Sequence, residues 1–201
     1  DEAHKIVENC REQLKSNINL SMLNSLQEEF VAINNKFHNV SDNMQYNKNS
    51  SIINNQLIVF KENFKIFSNE FVELIINDTV EYNRKVDVRY SSIDEKFKTI
   101  SIRPENIIKS LEDIISTMNS HCMELDTFKM VSRTHKSNYK SLIAKCENIL
   151  DILLKLFYKT DDMINWVTVN VYKKNIQFIS FNTVPYNIQN FVKEFINKFK
   201  S

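Results

Sequence analysis

The chain has no glycine in 201 residues, where average usage of about 7% would supply roughly 14. Glycine enters positive φ without penalty, so phosphate-cradling loops and the tightest hairpin turns lose their usual material. Proline is scarce as well, at Pro104 and Pro185. Against this background, apolar residues recur in alternating steps of three and four over most of the length. The reading is an all-α fold: an elongated bundle of four to six amphipathic helices with antiparallel helical hairpins, leaving room for a small C-terminal β-hairpin. The chain is expected to form one all-helical domain, 1–201, long enough to bury a sizeable core.

Asparagine, lysine, isoleucine and phenylalanine are enriched, while alanine occurs only at Ala3, Ala32 and Ala144. These are residues of A/T-rich codons, so genome composition, as in an insect or a protozoan parasite, shares the explanation with selection for helix. Basic and acidic residues nearly cancel, 26 against 25. Neither nucleic-acid binding nor polybasic membrane association is suggested by that balance. No apolar run approaches the ~18 residues of a membrane span.

The first helix is predicted from Glu2 to about Phe37, with Leu23, Leu26, Phe30, Ile33 and Phe37 in strict three–four rhythm. Asn39 to Ser51 is polar and reads as a loop. A second, phenylalanine-rich seam follows: Ile53, Leu57, Phe60, Phe64, Phe67, Phe71 and Leu74. The rhythm resumes from Tyr82 to Ile100, predicting one long bent helix or two placed end to end. Ser101 to Glu105, with Pro104 in the first turn, marks a third helix start. That helix carries Ile108, Leu111, Ile115, Met118, Cys122 and Leu125. The polar stretch Ser132–Asn138 permits a reversal into a fourth, through Tyr139, Leu142, Cys146, Ile149, Leu153 and Phe157. Residues 166–181 fit both an alternating β-hairpin and a helix. Because a two-stranded hairpin alone is marginal, helix is favoured. Pro185 is read as opening a short last helix.

Cys122 and Cys146 are 24 positions apart, and their midpoint, position 134, falls in the polar stretch. On one straight helix they would stand about 36 Å apart. On an antiparallel hairpin they reach the same height, each on its apolar stripe. A disulfide Cys122–Cys146 is therefore expected, worth about 3 kcal/mol in the chain-entropy picture. The alternative is a pair of buried free thiols in a reducing compartment. Cys10 is left over, either buried or available for an intermolecular bond.

No catalytic pattern emerges. Without glycine there is no Walker loop, dinucleotide fingerprint or G-x-S-x-G elbow. His4, His38, His121 and His135 lack the short-range spacing of metal ligands. Glu28/Glu29 and Asp161/Asp162 read as solvated faces or caps, and Trp166 as a packing residue. No catalytic, cofactor-binding or metal residue is assigned, and the chain is expected not to be an enzyme. Sequons stand at Asn19, Asn39, Asn49 and Asn77, several of which arise by chance in a chain rich in asparagine and serine, and the start at Asp1 fits either a mature secreted chain or an excised piece of a longer one.

Cys122, Tyr139 and Cys146 follow the order cysteine–tyrosine–cysteine. In this order, over about 25 residues, the chain resembles the aphid bicycle proteins, divergent secreted salivary proteins implicated in manipulating host plants. That family is named for two such motifs; the first is not evident here, since Cys10 has no second cysteine before Cys122. The resemblance implies a secreted effector without known catalytic residues. The expected function is a secreted, non-enzymatic effector or binding protein acting on a host protein through a helical surface, as a monomer or weak oligomer. Competing readings are an intracellular coiled-coil scaffold or tether, a helical surface adhesin of a protozoan parasite, and a helical lipid or small-ligand carrier.

Overall fold

A computed structural model describes residues 2–38, 44–75, 85–90, 99–127, 132–158, 163–172 and 175–187. Along these residues run helix α1 (Glu2–Leu14), strand β1 (Ser16–Asn19), α2 (Leu20–His38), α3 (Met44–Ile75), β2 (Lys85–Arg89), α4 (Pro104–Thr127), α5 (Arg133–Phe157), β3 (Met163–Tyr172) and β4 (Asn175–Pro185). The fold is mixed: five helices and a four-stranded antiparallel sheet, which corrects the all-α expectation. The chain divides into two compact units.

The helical unit comprises residues 19–74 and 96–151, hence α2, α3, α4 and most of α5. Side-chain pairs give its directions. Gln27 and Asn34 of α2 meet Lys61 and Tyr46 of α3, so these two helices are antiparallel. Asn49 and Gln56 of α3 meet Glu124 and Thr117 of α4, antiparallel again. Met118 lies against Cys146, and His121 against Tyr139, setting α4 antiparallel to α5. Glu29 pairs with Lys145, returning α5 to α2. Each helix thus runs antiparallel to two neighbours in an up–down–up–down cycle. The predicted reversal between the third and fourth helices is present: α4 ends at Thr127 and α5 starts at Arg133.

The stripes read from sequence are its core. Leu23, Leu26, Phe30, Ile53, Leu57, Phe60, Phe64, Phe67, Phe71, Leu111, Met118, Leu142 and Leu153 are all buried. Each large side chain so placed contributes about 1.5–3 kcal/mol of transfer free energy. Helix ends are chemically defined. Asn19 Oδ1 accepts from the Met22 amide at 3.0 Å, and Ser132 Oγ from the His135 amide at 3.1 Å, capping α2 and α5. Pro104 opens α4, with Glu105 in its first turn.

The second unit comprises residues 1–18, 75–95 and 152–201, and holds the sheet, ordered β1-β4-β3-β2. Val167 and Val169 of β3 pair with Phe181 and Ile179 of β4, and with Val88 and Val86 of β2. These six share one face, because side chains of directly paired residues point the same way. Phe157 of α5 packs on that face, its ring 6.1 Å from Phe181. On the opposite face Thr168 donates to Asp87, and Asn182 donates to Thr168 Oγ1 at 3.1 Å. Trp166 is half-buried, with Lys15 Nζ 5.2 Å from its ring centroid.

Three expectations are corrected by this unit. Helix was favoured over 166–181, but β3 and β4 form the hairpin there, because β1 and β2 widen it to four strands and remove its marginality. The first helix breaks at Lys15, where β1 intervenes before Asn19 caps α2. The second helix ends by Ile75; Lys85–Arg89 is a strand, with Val86 and Val88 paired to Val169 and Val167 of β3. In addition, α3 begins at Met44, inside the stretch read as loop. Pro185 closes β4; the helix expected after it lies outside the described residues, as do Asn39, Asn77, Asp161 and Asp162.

Candidate functional site

Both reversals of the helical unit, α2 to α3 and α4 to α5, fall at the same end of the bundle. There the apolar core gives way to a buried polar cluster. Asn34 occupies a core position near the end of α2, and Tyr46 and Ser50 extend the α3 stripe backwards from Ile53 in steps of three and four. His121 comes from the last turns of α4, and His135 and Tyr139 from the start of α5. All six are buried.

Asn34 is the hub. Its Nδ2 donates to the Phe30 carbonyl at 2.8 Å, while Oδ1 accepts from Ser50 Oγ at 3.0 Å and from the Tyr46 hydroxyl. The Tyr46 oxygen lies 3.2 Å from His135 Nε2. With the Tyr46 proton directed at Asn34, His135 serves as the donor through Nε2–H. Tyr46 also packs on His121, with ring centroids 4.9 Å apart, and His121 meets Tyr139 edge-on at 5.4 Å. Asn49 Nδ2 bridges Glu124 Oε2 at 2.5 Å and His121 Nδ1 at 3.4 Å. His121 Nε2 and the Tyr139 hydroxyl are sealed from solvent without a hydrogen-bond partner.

Burial sets the electrostatics. It pushes the Tyr46 phenol up to about 12, the Ser50 hydrogen bond opposing slightly, and raises Tyr139 further. Burial lowers both histidines; Glu124 opposes this at His121, and the His121 charge adds to it at His135. These groups therefore rest neutral near pH 7. Shielded from solvent, they hold the helix ends together rather than presenting reactive atoms to a substrate.

Cys122, Tyr139 and Cys146, singled out as a sequence motif, are all buried here, and the two thiols both act on the Tyr139 phenol. No disulfide joins Cys122 and Cys146 in the structure, where both are buried as thiols. Cys146 Sγ instead contacts Met118 Sδ at 3.9 Å, and burial, followed by Glu147 and Glu29, pushes its thiol up to about 12. Cys10 is half-buried and free. Asn19 is committed to capping α2, and Asn49 to Glu124.

A second feature is a groove of about 290 Å³ between α2 and α5, flanked by Ser25, Leu26, Asn148 and Ile149. Glu29 and Lys145 line it and pair with each other at 2.6 Å, so their charges are mutually spent. Among the described residues, no group of three or more His, Cys, Asp or Glu could hold a metal ion, and no helix is long and apolar enough to cross a membrane.

The third feature is the outer face of α3. Ile52, Val59 and Ile66 are 42%, 55% and 43% exposed, seven positions apart, with Ile58 beside them. No protein-family model matches the chain, and no curated protein matches its sequence.

The sequence reading missed the polar cluster, although its signal was present. Tyr46, Ser50, Ile53 and Leu57 keep the three–four rhythm, as do His135, Tyr139, Leu142 and Cys146. Polar residues on a core stripe are the mark of a buried network.

Proposed function

We propose that this chain is a secreted, non-enzymatic binding protein that engages a helix of a host protein through the outer face of α3. The observation that carries this is the exposed row Ile52, Val59 and Ile66. Ile52, Val59 and Ile66 repeat every seven residues, which is one of the two apolar positions of a heptad seam along which a second helix lies at a shallow angle. Such a row is about 10 Å between steps, with exposed Asn55 and Glu62 beside it as a polar margin. The four inner stripes are covered within the helical unit itself, which favours this reading over a scaffold whose seam waits for a partner. The secreted-effector part rests on the sequons at Asn39 and Asn77 and on the bicycle-type resemblance in the order Cys122, Tyr139, Cys146; the missing Cys122–Cys146 disulfide counts against it.

The test places a photo-crosslinking amino acid in turn at positions 52, 59 and 66, with 113 on α4 as control. One host protein captured at all three and not at 113, then bound by the purified chain, is the expected result. Binding that survives combined Ile52→Lys, Val59→Lys and Ile66→Lys substitution in a folded chain rules the surface out.

A further inference from the structure

Two histidines share the sealed end of the helical unit and arrive there from opposite helix ends. His121 stands near the C-terminus of α4, and His135 in the first turn of α5. They are 1% and 8% exposed, and both rings contact those of Tyr46 and Tyr139. We infer that this pair makes the helical unit acid-sensitive: on acidification the chamber must take up positive charge, and it does so by releasing the α5 end of the bundle.

The two rings are supported unequally. Facing His121 are Glu124 of its own helix, 3.7 Å from Nδ1, Asn49 and Tyr46 of α3, and Tyr139 of α5. A charge there gains the Glu124 carboxylate. Facing His135 are the Tyr46 hydroxyl, backed by Asn34 of α2, then Tyr139 and, from α4, the His121 imidazole itself. Its own turn adds Arg133 and Lys136, and the positive end of the α5 dipole. Protonated His135 therefore meets a like charge when His121 is charged, and a phenol whose proton is already given to Asn34, while the charged residues of its own turn are both basic.

The pH window follows from the lowered histidines. An unfolded chain binds these protons near the ordinary 6.5, the folded chain only further down. Between those points the unfolded state holds more protons, so stability is full above about 6.5 and is lost as pH falls toward the folded values.

The experiment is urea unfolding of the full chain from about pH 7.5 to about pH 5, with an NMR titration of its imidazole signals. Expected are a midpoint that falls below about pH 6.5 and two imidazoles that stay neutral past the ordinary range until the unit opens. His135→Gln retains a donor toward Tyr46 but takes no charge, and should remove most of that fall. A folded His135→Gln that loses stability as steeply as the parent overturns the inference. If that variant does not fold, the parent titration decides: His121 and His135 both titrating at or above about 6.5 in the folded protein would overturn it equally.

Discussion

The Tyr46 hydroxyl lies 3.2 Å from His135 Nε2, joining the first turns of two helices across 89 positions of sequence. Through Asn34 the same hydroxyl reaches α2, and through its ring it reaches His121 of α4. One side chain thus touches all three other helices at the end where both hairpins turn.

Tyr46→Phe keeps the ring and removes the hydroxyl. Asn34 Oδ1 loses one donor and His135 Nε2 its hydroxyl partner, so the loss should be about 1–3 kcal/mol, the cost of stranding buried polar groups. Urea unfolding at neutral pH measures it. An unchanged midpoint would show that the hydroxyl is not buried against these partners.

Thiol labelling should be strongly graded. Cys10 is half-buried, whereas Cys122 and Cys146 are in the core and the Cys146 thiol is pushed up to about 12. Thiolate is the reactive species. Iodoacetamide on the native chain should therefore modify Cys10 first, the other two reacting only as the helical unit opens. Peptide mass spectrometry reads the order directly.

Core and surface contacts should separate by several-fold. Phe67 is fully buried beside Phe64 and Phe71, with ring centroids 6.2 and 5.6 Å away. Phe67→Ala should cost about 3–5 kcal/mol through lost transfer energy and the cavity left behind. The Glu29–Lys145 pair is short but solvent-exposed, its side chains 37% and 52% accessible, so Lys145→Ala should cost under about 1 kcal/mol. Equal losses would contradict the packing described.

In the sheet unit, Phe181 joins the hairpin to α5 through Phe157. Phe181→Ala should cost about 3–5 kcal/mol. Trp166, the single tryptophan, lies on the neighbouring strand and reports the loss by fluorescence.

The helical unit was largely legible in the sequence, because a three–four stripe on a long segment has one cheap solution. Leu23 to Ile33, Ile53 to Phe71 and Leu111 to Leu125 all face the core as read. The strands were hidden by the same template. Val86 fits a helical step from Tyr82 as well as it fits Lys85-Val86-Asp87-Val88-Arg89, whose strict alternation is a strand signal. Ile18 sits four residues from both Leu14 and Met22, so the β1 break left the stripe intact. The hairpin at 163–185 was judged without the flanking strands that stabilise it, since pairing over such sequence distances has no local mark. The midpoint of Cys122 and Cys146 located the reversal but did not dictate a bond between the sulfurs.

The most direct test of the account is a nuclear Overhauser measurement on the Tyr46 ring of the full chain at neutral pH. The account predicts cross-peaks from Tyr46 to the imidazoles of both His121 and His135, with a slowly exchanging Tyr46 hydroxyl proton. A Tyr46 ring that flips freely, exchanges its hydroxyl with water at once and shows no contact with either imidazole would contradict it.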